Sequence, residues 1–444
     1  MADADTQLKK VLKPIHLWAI AVALVISGEY FGWNYGWAVS GTLGFLYATI
    51  IVTILYITFI FSYTELTTSI PHAGGAFAYA YKAVGPIGGL IAGYATVIDF
   101  VLATPAIASS LGAYINFLHP ELPVLYVALA FYLLFSVLNI IGVKESAIFS
   151  VVITILAIAE LLLYLGIIAP SFKTSNFFSN GMPFGWKGIF AGLPFAVWFY
   201  LAIEGVATTA EEVRDPKRDV PKGYIAGLAT LVVLALAVSI LTGGITDWRK
   251  LSNIDYPLPE AIGIVLGKDN TWTKLFTSIG LFGLIASFHG TVLAYSRQIF
   301  AIARSGYLPG FLGSVGKRFK TPHAATITGS LIGIAVLLIL QSTSQIIILS
   351  VLGALTMYLM SMISLFVLRK KQPDMPRPFV SPFFPVFPGI ALLLSAVCMI
   401  SIIYYNPLLS AYFFGGLILV LFGYVATGRH KRPISDDLLK ETLA

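Results

Sequence analysis

Long apolar runs separated by short polar connections dominate the chain. Runs of about 20 residues or more, enough for a helix to cross a bilayer, recur at roughly 16–39, 41–69, 87–117, 122–142, 146–169, 187–209, 222–245, 273–303, 323–342, 345–368, 381–403 and 408–427. The longest connections on one side are 171–186 and 246–272. The second carries Pro257, Pro259, Gly263 and Gly267 and predicts a short surface helix. On the other side the longest are 210–221, 305–322 and 369–380. Such loops leave no room for a soluble domain, so the pattern predicts one integral membrane domain over 1–444. Residues 1–15 form its N-terminal segment. Residues 428–444, with Asp436, Asp437 and Glu441, form a solvated tail.

Two runs are interrupted. The first reads Ser27-Gly28-Glu29-Tyr30-Phe31-Gly32-Trp33-Asn34-Tyr35-Gly36, a carboxylate and three glycines where an anchor would carry aliphatic residues. An acid at that depth is costly and marks a functional site. Glycines let the backbone open toward a bound molecule. The sixth run repeats the theme in Trp198-Phe199-Tyr200-Leu201-Ala202-Ile203-Glu204-Gly205. Interrupted helices in corresponding positions point to a transporter's binding site. Runs one and six would then open two five-span repeats, 16–169 and 187–368, the second inverted relative to the first, with 381–427 adding two helices.

Composition and charge sharpen this picture. Hydrophobic residues make up 57% of the 444 and charged residues only 11%, against about a quarter charged in soluble domains. With the N-terminus on the cytoplasmic side, 22 of the 28 Lys and Arg residues fall on that side and 6 on the other, a positive-inside asymmetry. It counts Lys9, Lys144, Lys317, Lys320, Arg429, Lys431, Arg432 and Lys440. The net charge of +7 therefore reports topology and anionic lipid, not nucleic acid. Asp3 and Asp5 precede the first lysines, so the N-terminus does not read as a secretory signal. The single Cys398 allows no disulfide framework or cysteine metal site. Glu65 and His72 are split by a proline, Gly85-Pro86-Ile87-Gly88-Gly89 is too irregular for a phosphate loop, and there is no Walker sequence. No enzyme, cofactor or metal is expected.

Three loop motifs carry a resemblance. They are Glu65-Leu66-Thr67-Thr68-Ser69-Ile70-Pro71-His72-Ala73-Gly74-Gly75-Ala76-Phe77-Ala78-Tyr79, then Ala210-Glu211-Glu212-Val213-Arg214-Asp215-Pro216-Lys217-Arg218-Asp219-Val220-Pro221, then Ser296-Arg297-Gln298-Ile299-Phe300-Ala301-Ile302-Ala303-Arg304-Ser305-Gly306-Tyr307-Leu308-Pro309 with Thr321-Pro322. Together they resemble the signature segments of the amino acid–polyamine–organocation (APC) transporters. The run Ile26–Trp37 with Pro71-His72-Ala73-Gly74-Gly75 resembles the ethanolamine permeases. The resemblance implies an all-α membrane protein of 12 transmembrane helices with a 5+5 inverted repeat (LeuT-like fold), helices 1 and 6 broken. Substrate would lie between spans one, three, six and eight.

Family carriers of amino acids hold the substrate carboxylate on a Gly-Ser-Gly-like triplet in the first break. Here the matching residues are Gly32-Trp33-Asn34, a departure that favours an amine without a carboxylate. Matching against the arginine–agmatine antiporter places Asp99 at the distal end of the pocket, as counter-ion for an ammonium, the structural alternative being a bond to a hydroxyl such as Thr96. Glu204 matches an acid linked to proton-dependent gating, and Trp198 an aromatic that covers the substrate by cation–π attraction. Ala202 stands in the same break. A lysine of span five, located from Gly142-Val143-Lys144, is replaced by Ala157, which leaves Glu29 or Glu160 as the coupling group. His289 on span eight suits a proton relay or a helix–helix bond. Tyr30 and Tyr35 would line the break or pack.

These readings converge on a secondary carrier of the cytoplasmic membrane, both termini inside, importing a small amine by alternating access. Ethanolamine is the expected substrate and a proton or Na⁺ the possible coupling ion. An amino acid or polyamine carrier or antiporter is the alternative, and a membrane amine sensor a more distant one.

Overall fold

The computed structural model describes residues 10–141, 147–316, 318–319 and 321–428. Lys9, Lys144, Lys317, Lys320, Arg429, Lys431, Arg432 and Lys440 of the charge asymmetry, Asp3 and Asp5, the Gly142-Val143-Lys144 marker and the tail acids Asp436, Asp437 and Glu441 lie outside the described residues.

The helices are α1 Pro14–Val25, α2 Ser27–Tyr30, α3 Tyr35–Ser69, α4 Ala76–Val84, α5 Pro86–Leu118, α6 Val124–Ile141, α7 Ala147–Ile168, α8 Thr174–Phe178, α9 Gly185–Trp198, α10 Pro216–Gly243, α11 Pro257–Leu266, α12 Thr271–Arg304, α13 His323–Leu340, α14 Thr343–Lys371, α15 Val386–Tyr405 and α16 Pro407–Ala426. Proline stands near the start of α1, α5, α10, α11 and α16, where its missing N–H costs nothing. Asp215 caps α10 by accepting the Lys217 N–H at 3.2 Å, so this span begins at Pro216, six residues before the apolar run.

Among the described residues, eleven helical segments are long and apolar enough to cross a membrane. The first predicted span is delivered in two pieces, α1–α2 and the opening of α3. Gly41 interrupts α3 with φ 70° and ψ 175°, and a Cβ there would meet the Gly181 carbonyl and the Pro183 ring. Glycine is thus required where the first span hands over to the second. The predicted surface helix in 246–272 is α11.

Burial ranks the spans. Over an apolar 18-residue stretch of each span, Gly185–Glu212 is 89% buried, α14 83% and α5 78%, whereas α6 and α16 are 22% and 28% buried. The first group is the centre of the bundle and the second its rim. Rim helices expose Leu133, Leu134, Leu419 and Phe422, which in water would be a liability and in lipid is the favourable arrangement. The small side of α14 fits the centre closely. A Cβ on Gly353 would lie 2.6 Å from the Ala95 carbonyl and 2.8 Å from the Asp99 nitrogen, so the α5 and α14 backbones meet as small residues allow in membranes.

Candidate functional site

Both interrupted spans open at the centre, and each opening is held by the other. After α2 the backbone is extended at Phe31, then turns through Gly32 at φ 93°. The Trp198 indole N–H donates to the Phe31 carbonyl at 3.0 Å. A Cβ on Gly32 would collide with that indole. Trp33 stacks on Phe199, ring centroids 5.7 Å apart at 12°, and its indole donates to the Glu29 carbonyl at 3.1 Å. The second opening runs from Phe199 to Ala202, which takes φ 77°. A left-handed alanine is strained by roughly 1–3 kcal/mol and persists only where its surroundings impose it. A 3-10 turn then carries Ile203–Glu212.

A small central pocket lies at this junction. Leu24 and Val25 of α1, Ala103 and Ile107 of α5, and Leu201 and Ala202 of the second opening supply its aliphatic wall. Ser27, Trp198 and Thr291 supply its few polar groups. Its volume is about 10 Å³, room for about one water. Ser287 on α12 ties its floor by donating to the Leu24 carbonyl at 2.7 Å and meeting the Ser27 hydroxyl at 2.7 Å.

The structure brings two of the expected acids together. Asp99 and Glu204 are enclosed, with relative exposures of 0% and 2%, and their carboxyls lie within hydrogen-bonding reach of each other. Neither is among the residues lining the central pocket; the pair sits in a polar network beside it. Ser350 donates to Asp99 Oδ1 at 3.1 Å, and Tyr358 donates to Glu204 Oε2 at 3.1 Å. The Tyr358 and Tyr56 hydroxyls meet at 2.7 Å. The Thr96 hydroxyl donates to the Ala92 carbonyl instead. Two like charges at this range are strongly unfavourable, and a proton shared between the carboxyls would turn the contact into a hydrogen bond.

Other expected residues are distributed around this centre. Glu160 on α7 accepts the Tyr30 hydroxyl at 2.7 Å, and Tyr30 also reaches the Ala157 carbonyl at 3.3 Å. The tyrosine thereby fastens the first opening to α7 at the predicted lysine position. Glu29 is fully buried, with no hydrogen-bond partner for either carboxylate oxygen among the described residues. His289 meets the Asn139 amide of α6 at 3.0 Å and packs near Phe135, a bond between helices rather than a pocket wall. Asn34 is used at both ends. Its Oδ1 accepts the Gly32 N–H at 3.0 Å, and its Nδ2 donates to the Leu251 and Ile254 carbonyls at 2.6 and 2.8 Å.

The same loop carries Asp255, which sequence reasoning did not single out. Asp255 accepts the Tyr35 hydroxyl at 2.6 Å and the Thr343 hydroxyl at 2.9 Å, while Ser110 donates to its carbonyl at 2.8 Å. Loop 251–256 is thus latched to α3, α5 and α14 over one end of the bundle. Burial pushes the Asp255 carboxyl above its ordinary range, and the Tyr35 and Thr343 hydrogen bonds oppose this. Ser350, Tyr358 and Tyr56 also escaped the sequence reading. Each is one hydroxyl in an apolar helix, and nothing local says where it points.

With this geometry in hand, similarity to known proteins is informative. The amino acid permease family profile matches residues 12–426. The chain is 31% identical over 404 residues to an uncharacterized transporter of Rhizobium meliloti, covering 87% of this chain and 85% of that one. It is 26% identical over 421 residues to the branched-chain amino acid permease BcaP of Bacillus subtilis, covering 88% of each. It is 30% identical over 359 residues to the methylthioribose transporter of Bacillus subtilis, covering 76% of each.

Proposed function

The chain belongs to the amino acid permease family, and from that premise we propose that it is a secondary carrier for small amino acids with aliphatic side chains. The observation that carries this reading is the lining of the central pocket, which in this conformation is closed around room for about one water. Its wall is aliphatic on three sides, from α1, α5 and the second opening, with hydroxyls at Ser27 and Thr291. Apolar walls with a few placed polar groups are what a small ligand of mixed character requires. The relative named for branched-chain amino acids supports the same class. No relative quoted above is named for ethanolamine, and the expectation of that substrate recedes accordingly.

The Asp99–Glu204 pair supports proton coupling. A zwitterion carries no net charge, so the membrane potential drives its uptake only if a cation moves with it, worth about 2.3 kcal/mol per charge per 100 mV. A carboxyl pair that exchanges one proton between two faces of the bundle supplies that charge. The positive-inside asymmetry supports an orientation with both termini on the cytoplasmic side.

One observation favours a second reading. The Gly32 N–H, where relatives would meet a carboxylate, is occupied by Asn34 Oδ1. A carrier of an amine without a carboxylate, ethanolamine included, would lose nothing by this. Proteoliposome uptake separates the two. Under an imposed proton gradient, radiolabelled leucine should accumulate, valine and alanine should compete, and ethanolamine should not. Ethanolamine uptake that no amino acid inhibits would replace the first reading with the second.

A further inference from the structure

Below the central pocket, on the face predicted to be cytoplasmic, the bundle holds a partly open chamber of about 200 Å³. Leu24 belongs to the walls of both spaces, so they are neighbours separated by that side chain. At about 10–15 Å³ per water-sized body, the chamber has room for an aliphatic amino acid, and the central pocket in this conformation does not. Its flanks are apolar: Ile20 and Ala23 of α1, Ile153 of α7, and Ala286, Leu293 and Ala294 of α12. Glu212 and Arg297 line it as an ion pair at 2.8 Å. The position of Glu212 is fixed by its backbone. Its carbonyl accepts the Val11 and Leu12 N–H groups at 2.9 and 3.0 Å, and the Leu12 carbonyl accepts the Arg214 N–H at 3.1 Å.

We infer that this chamber is a second solute site on the transport route, taking an amino acid whose ammonium pairs with Glu212 and whose carboxylate pairs with Arg297. The inference rests on the carrier reading above and names a further site for that substrate class. One ion pair opens and two form, while the side chain meets the aliphatic flanks. A simple amine would pair with Glu212 and leave Arg297 without its partner, which a partly buried site penalises. The chamber therefore selects zwitterions, whatever the first opening does with a carboxylate.

Equilibrium binding of radiolabelled leucine to the full chain in lipid nanodiscs tests this. Wild type should saturate at two leucines per chain, and Glu212→Gln/Arg297→Gln at one, the retained leucine certifying the fold. Ala294→Trp, which fills the chamber, should likewise bind one. Excess ethanolamine should leave the second site occupied. A wild-type plateau of one leucine overturns the chamber site and leaves the carrier reading intact. Two leucines on the double variant or on Ala294→Trp overturn it as well. If the double variant binds none, Ala294→Trp decides by the same criterion. Wild type that neither binds nor carries leucine sinks the carrier reading, and the chamber site falls with it.

Discussion

Asp99 on α5 and Glu204 in the 3-10 turn of the sixth span set their carboxyls within hydrogen-bonding reach in the centre of the bundle. The sequence separates them by more than a hundred residues, and two membrane spans meet to join them. Hydroxyls of Ser350 and Tyr358 complete the surroundings.

If a shared proton holds this pair, removing one carboxyl removes the need for it. Asp99→Asn should leave the fold intact, because Ser350 still donates to the residue 99 carbonyl, as it does at 2.9 Å in the native chain. Uptake in proteoliposomes should fall at least tenfold and lose its dependence on pH between about 5 and 8. A variant that keeps the wild-type pH profile would place coupling elsewhere, with Glu29 or Glu160 next in line.

Gly32 answers two demands, a φ of 93° and room for the Trp198 indole. Gly32→Ala meets backbone strain and overpacking together, each costing roughly 1–3 kcal/mol. A drop of several degrees in the unfolding midpoint in detergent is expected. Gly415→Ala, with open space around its added Cβ, is the matched control and should be near neutral.

The Tyr30–Glu160 bond should couple the first opening to α7. A double-mutant cycle of Tyr30→Phe and Glu160→Gln is expected to give an interaction of about 1 kcal/mol in stability. Additive effects would show that the 2.7 Å contact contributes nothing of its own.

The Asp255 latch should respond to pH with a definite sign. Its carboxyl is raised by burial in the latched loop, so the latched form binds a proton more readily than a released, solvated loop does. Linkage then makes the latch more stable as pH falls through the raised value toward the ordinary 3.8. Thiol labelling of Asn253→Cys in a Cys398→Ser background, each rate divided by that of an exposed reference thiol at the same pH to cancel thiolate titration, should slow on acidification, and Asp255→Asn should remove that remaining pH dependence. Faster labelling at low pH would reverse the assignment.

Much of the architecture was legible because it obeys local rules. A run of apolar residues has to be a helix in lipid, since every backbone polar group needs an internal partner. The spans, the surface helix α11 and both interruptions follow from that rule and from glycine or acid where neither belongs. Boundaries moved where caps decide them, as at Asp215 for α10. The site was legible only in part. Acids in apolar runs announce themselves through their cost; the hydroxyls that receive them do not.

The sequence by itself determined that this chain spans a membrane many times, that its first and sixth spans come apart, and that acids sit near those breaks. Tertiary structure alone decided which groups meet. It paired Asp99 with Glu204, occupied the Gly32 N–H with Asn34, and placed Asp255 across three helices. The reason is physical. Span formation depends on composition along one segment, whereas partnership depends on helix rotation and depth, which the packing of all neighbouring spans fixes together.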